Sequence, residues 1–204
     1  MAGTRSLTPT SATPRAAGFV ARLAPTPVCA AIVDGAHLER ALTSRAPIIF
    51  LLRGDGLRIA PTIDRIHAAG KLVAVHLDLI DGIAADVRGV AWLAAAGSDA
   101  IITSHGRLLP TIRDAGRVAI HRVLLSRRSH VDTAMAAAAR SHPDILEVLP
   151  GVVLPGVTQL LPRFGIPLLA GGFVRSVADA RAAIAAGAVG VTTSAPELWD
   201  LGAA

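Results

Sequence analysis

A histidine and an aspartate two residues apart, His76 and Asp78, close the apolar run LVAVHLDL. Glu147 interrupts the run ILEVLP, and Arg122 interrupts VAIHRVLL. A charge inside such a run is costly unless it is paired. Carboxylates and an imidazole facing one pocket can accept hydrogen bonds from ligand hydroxyls, hold a divalent cation, or move protons as acid and base. Arg122 can pair with Glu147 or reach a bound anion, and an internal ion pair with Arg122 or Arg53 is the purely structural alternative for the acids. A second group joins bare backbone to small hydroxyls. Gly171 and Gly172 end the run PLLAGG, and Thr193 and Ser194 end GVTTS. Glycine lets backbone N–H groups approach an anion with no Cβ in the way, and hydroxyls add donors. With a short helix expected over 195–201, the combination points to a phosphate cradle.

These residues need a scaffold that brings them together. Short apolar runs recur at 28–33, 48–52, 72–79, 100–104, 118–125, 145–150, 167–172 and 190–194. Rich in β-branched residues and without strict alternation, they fit strands buried on both faces of a parallel sheet. Between them lie helical stretches, including VTQLLPRFG at 157–165, several of them closed by glycine. The alternation predicts one domain over 26–204, a compact (β/α)8 TIM barrel, with an open doubly wound sheet as the alternative. In either architecture, chemistry belongs at the C-terminal ends of the strands, where the candidate residues fall. The only lysine, Lys71, begins the third run instead, away from that end. Schiff-base chemistry would need a lysine at the mouth. Trp92 and Trp199 read as packing residues within helical segments.

Residues 1–25 are rich in Thr, Ser, Pro, Ala and Arg and read as a flexible tail. The chain of 204 residues is 52% hydrophobic, which supports a large core. No apolar run is long enough to cross a membrane. The single cysteine, Cys29, excludes an internal disulfide and a cysteine-rich metal site, and a reducing cytoplasm is the expected setting. No metal or cofactor is expected. The net charge of +5 comes almost wholly from arginine, which suits phosphate contacts. Arg107, Arg127 and Arg128 are the candidates for touching RNA. Aromatics make up only 3% and tyrosine is absent, so a stacking platform for single-stranded RNA is not expected and any RNA contact would rest on arginines.

In order along the chain stand HLDLIDG (76–82), DAIITS (99–104), IHR (120–122), PDILEVLPGV (143–152), IPLLAGGFVRSVADARAAIAAGAVGVTTS (166–194) and ELW (197–199). Together they resemble the glycerol-3-phosphate-responsive antiterminators, bacterial regulators of glycerol-uptake operons. The resemblance implies a (β/α)8 barrel with glycerol 3-phosphate as effector. It further implies that the liganded protein acts on the mRNA leader to prevent premature termination, without being an enzyme. Phosphate would then lie near Gly171, Gly172, Thr193 and Ser194, and the glycerol hydroxyls near His76, Asp78, Arg122 and Glu147. Assembly into a homo-oligomer stays open. The alternative is a barrel enzyme acting on a small phosphorylated substrate, a lyase, isomerase or phosphodiesterase, with Asp78 and Glu147 as acid and base.

Overall fold

The computed structural model describes residues 13–127, 129–157 and 165–203. Eight parallel strands close into a barrel: β1 (Val28–Ile32), β2 (Ile48–Leu51), β3 (Leu72–His76), β4 (Ala100–Thr103), β5 (Val118–Leu124), β6 (Ile145–Leu149), β7 (Leu168–Gly171) and β8 (Gly190–Thr193). Each strand pairs with its neighbours in sequence, and β8 closes onto β1 through Val28 opposite Val191. The expected barrel is therefore present, and the open sheet is not. Helices α1 (Pro14–Ala21), α2 (Leu38–Thr43), α3 (Ile59–Ala68), α4 (Val87–Ala95), α5 (Leu109–Asp114), α6 (Ser129–Ser141), α7 (Leu154–Val157) and α8 (Val177–Ala185) complete the described helices. Most of the helix expected over 157–165 lies outside the described residues.

The two-residue period of a strand sorts every run into two buried sets. Ala30, Ile49, Val73, Val75, Ile101, Val148 and Val191 face the helices. Ala31, Phe50, Ala74, Ile102, Ile120 and Leu169 fill the barrel interior. Continuing the inward set by one more step toward the C-terminal mouth changes its chemistry. Ala74 is followed by His76, Ile120 by Arg122, Ile145 by Glu147 and Gly190 by Thr192. One polar layer thus lies over an apolar floor. Register places Arg122 directly opposite Glu147 on β5 and β6.

Two sequence expectations change. The run 72–79 is not all strand: β3 ends at His76, and Asp78 stands in the single 3₁₀ turn Leu77–Leu79. The helix expected over 195–201 is likewise one 3₁₀ turn, Pro196–Leu198.

The segment read as a tail is not uniformly one. Residues 1–12 lie outside the described residues, but from Thr13 onward the chain is built into the fold. Thr13 caps α1 by accepting from the Ala16 amide at 3.3 Å, and Pro14 occupies the first turn, where its missing N–H costs nothing. Ala16, Phe19 and Leu23 are buried and join the interior cluster with Ile48 and Ile145. They close the N-terminal end of the barrel. Thr13 also donates to Asp144 Oδ1 at 3.0 Å, and Arg22 donates to the Gly70 carbonyl at 2.6 Å. At the same end Lys71 is buried, with Nζ donating to the Ser44 and Ala46 carbonyls at 2.7 and 2.6 Å. Trp199 is fully buried as expected, whereas Trp92 is half-exposed on α4 and is not a core residue.

The plug yields a test of the fold. Phe19→Ala leaves a cavity at the barrel floor and is expected to cost about 3–5 kcal/mol. Urea denaturation measures this; a loss under ~1 kcal/mol would show that α1 does not close the barrel.

Candidate ligand-binding site

Glu147 is fully buried, and a carboxylate there must have its oxygens satisfied. Oε2 accepts from Arg122 Nε at 2.7 Å, and Oε1 accepts from Thr192 Oγ1 at 2.7 Å. This arrangement explains Gly171 differently from the sequence reading. A Cβ at Gly171 would stand 2.5 Å from Thr192 Oγ1 and 2.7 Å from Glu147 Oε1. The residue is glycine because the carboxylate and its hydroxyl partner fill that space. Gly171 is not among the residues lining the mouth, so its expected direct role in a phosphate cradle does not match its surroundings.

The second glycine does reach the mouth. A cavity of about 490 Å³ is lined by Arg122, Glu147, Gly172, Phe173, Thr193 and Ser194, among others. Gly172 adopts a left-handed backbone, φ +75°, which glycine tolerates without strain. Of the expected site residues, Arg122, Glu147, Gly172, Thr193 and Ser194 therefore meet in one cavity. Of the two alternatives for Arg122, the pairing with Glu147 is present through Nε, and the side chain is also among those lining the mouth.

His76 and Asp78 stand beside this cavity rather than among its lining residues. His76 is buried, and its Nδ1 has no hydrogen-bond partner among the described residues. Burial, reinforced by the Arg122 guanidinium, pushes its imidazole down to about 4 against the opposing pull of Asp78 and Glu147. It is a neutral ring at physiological pH. The Asp78 carboxylate is occupied by its own neighbours: Oδ1 accepts from Thr103 Oγ1 at 2.5 Å and Oδ2 from the Ser104 amide at 2.7 Å. Burial alone would raise its pKa, but these two hydrogen bonds hold it below the usual value.

The turns after β4 and β8 are built alike. Thr103 Oγ1 accepts from the His105 amide, and Thr193 Oγ1 accepts from the Ala195 amide, both at 3.1 Å. Both hydroxyl protons are directed to the preceding loop, Thr103 to Asp78 and Thr193 to the Val174 carbonyl at 2.6 Å. Thr193 was expected as a phosphate donor; its proton is committed to the Val174 carbonyl instead. The two turns differ at the next residue. The Ser104 amide donates to Asp78, whereas the Ser194 amide has no partner among the described residues. Thr192, absent from the sequence-derived site, is the inward member of the TT pair, and the strand period alone distinguishes it from outward-facing Thr193.

Beyond Arg122 lies a second cavity of about 500 Å³, lined by His121, His130 and Thr133 of the β5 and α6 region. His121 faces outward, and burial lowers its pKa. Arg107 and Arg127 are exposed, and Arg127 Nε donates to His130 Nε2 at 2.7 Å. Arg128 lies outside the described residues. Among the described residues no cluster of metal-ligating side chains is present, and no helix is long and apolar enough to cross a membrane.

A closed parallel barrel with a polar layer at its C-terminal mouth is the class of protein defined so far. Residues 28–199 match the family of glycerol-3-phosphate responsive antiterminators, and the chain belongs to that family. A protein of Escherichia coli K12, the uncharacterized protein YgcP, is 32% identical over 176 residues, 86% of this chain and 92% of its own. The glycerol uptake operon antiterminator regulatory protein of Listeria monocytogenes superposes with a TM-score of 0.81 at 26% identity, over 85% of this chain and 95% of that one. A glycerol uptake operon antiterminator-related protein of Thermotoga maritima gives 0.77 at 25%, over 86% and 98%.

Two predictions test the site. Gly171→Ala is expected to cost about 1–3 kcal/mol in urea denaturation, because its Cβ displaces the Glu147–Thr192 hydrogen bond; no loss would mean the layer is slack. The second concerns pH. Unfolded His76 takes up its proton near pH 6.5 and folded His76 only near 4, so the unfolded state binds more protons between these values. Stability is expected to fall as pH drops through that window. His76→Gln should flatten the fall, leaving the part due to His121. An unchanged profile would contradict the neutral, buried ring.

Proposed function

We propose that this protein senses glycerol 3-phosphate at the barrel mouth and, once liganded, acts on the leader of a nascent mRNA to prevent premature termination. Family membership supports the regulatory role. The observation that carries the effector site is the difference between the two matching turns. In one, a carboxylate sits on the Ser104 amide; in the other, the Ser194 amide is open beside Gly172 and the Arg122 side chain. An anion at Ser194 would take the place that Asp78 holds in the first turn. Backbone N–H groups with an arginine nearby are a recurrent phosphate environment. The phosphate then rests on the Gly172 and Ser194 backbone, with Thr193 and Gly171 shaping the turn and the polar layer beneath. The glycerol hydroxyls point toward Glu147 and the unpartnered His76 Nδ1, with Asp78 positioning the neighbouring turn.

Exposed Arg107, Arg127 and Arg175 stand on the rim between β4 and α8, with Asp132, Asp179 and Glu197 among them, and the β1–β3 side carries Asp34, Asp55 and Asp81 with Arg53 and Arg58. The arginine side is the face offered to RNA phosphates. Schiff-base catalysis gains no support, because the Lys71 ammonium lies at the opposite end of the barrel, bonded to two carbonyls.

The direct test is binding of the cognate leader RNA with and without glycerol 3-phosphate, alongside thermal unfolding. The effector is expected to raise the unfolding temperature and strengthen RNA binding. RNA affinity unchanged at saturating effector would remove the switch. Gly172→Val, which forces a β-branched residue into a left-handed backbone beside the phosphate, is expected to abolish the thermal shift.

A further inference from the structure

Phe173 is exposed at 70% of its surface, while Phe19 and Phe50 are buried in the barrel. Its backbone is left-handed, φ +59°, a conformation that disfavours bulky residues and that glycine would adopt freely. The position therefore carries two costs, an apolar ring in water and an unfavourable backbone, with little core packing in return. The loop is firmly held on either side. The Gly172 carbonyl accepts from the Gly151 amide at 3.0 Å, and the Val174 carbonyl accepts from Thr193 Oγ1 at 2.6 Å, with the Val174 side chain buried. Phe173 is the outward apex of an arch pinned at both feet. The end of β5 adds exposed Leu124 and the turn after β6 adds Val152, and Arg175 stands two residues on.

An exposed aromatic side chain on a pinned loop, with Arg175 two residues on, fits a ligand that is both planar and anionic along its backbone. A single-stranded nucleic acid has that chemistry: its bases stack on aromatic rings while arginines follow its phosphates. We infer that Phe173 is a stacking contact for one nucleobase of a single-stranded RNA segment, whose phosphates run over Arg175, Arg127 and Arg107. This rests on the antiterminator reading and deepens it. One aromatic contact takes the place of the multi-residue platform that the composition argues against. Phe173 also lines the mouth, and its amide lies next to Gly172, so a base stacked there sits over the effector site. RNA and effector would then share one loop.

The test measures single-stranded leader RNA binding by fluorescence anisotropy over a salt series at saturating glycerol 3-phosphate, with effector affinity by calorimetry. Phe173→Ala is expected to weaken RNA binding about ten-fold at every salt concentration, with the log–log salt slope unchanged. Any loss of effector affinity should be smaller than the loss of RNA affinity, and Phe173→Trp should keep wild-type RNA affinity. Arg127→Ala should instead flatten the slope by about one. Phe173→Gly should unfold at a higher temperature than wild type while losing RNA affinity, which separates a binding role from a structural one. Wild-type RNA affinity in Phe173→Ala overturns the inference. So does an equal loss of effector affinity, which would make Phe173 a cover for the small ligand. If the wild-type protein binds no leader RNA, the antiterminator reading itself fails, and this inference with it.

Discussion

The barrel mouth is organised by one constraint: Glu147 is an ionisable group buried at the floor of the cavity. Such a group is tolerated only when its oxygens are met by donors. Arg122 meets one and Thr192 the other, from the two flanking directions of the barrel wall. The space they need removes the side chain at Gly171. The Arg122 charge helps keep His76 neutral. With the charges matched inside the wall, the mouth can present an arginine and open amides to an anion without a buried carboxylate repelling it directly. A missing partner for Glu147 would leave a bare negative charge beneath the proposed phosphate position.

The two matching turns give the mouth its direction. The stretches AAGSDAIITSHGRLL (95–109) and AAGAVGVTTSAPELW (185–199) follow one pattern, and their threonines make the same internal bond. Identical frames with different occupants separate a filled position from an open one. At the first turn Asp78 closes the frame and contributes to rigidity. At the second the frame faces the cavity. This is why Asp78, a strong candidate by residue type, reads in three dimensions as a positioning residue.

All eight strands were legible because each apolar run must be buried on both faces in a parallel barrel. The same two-residue period brought Arg122, Glu147 and Thr192 inward, although Thr192 was overlooked beside the equally polar Thr193. α1 was not legible: PRAAGFVA offers only Ala16 and Phe19 to the core, and its helical role depends on the open barrel floor it covers. Gly171 was read as space for a ligand when it is space for Glu147, a long-range contact that no local pattern carries. Phe173 gave no signal at all, since one phenylalanine in an apolar run predicts burial. Its exposure follows from the turn that Gly172 begins and Thr193 locks.

The central claim is that the anion is held by the amides at Gly172 and Ser194, above the Arg122–Glu147–Thr192 layer. Titration of ¹⁵N-labelled protein with glycerol 3-phosphate, followed by backbone amide chemical shifts, tests it directly. The largest saturable shifts are expected at Gly172 and Ser194, with Ser104, already occupied by Asp78, unmoved. Saturable shifts at Ser104 or at the Lys71 end, with Gly172 and Ser194 unchanged, would contradict the account.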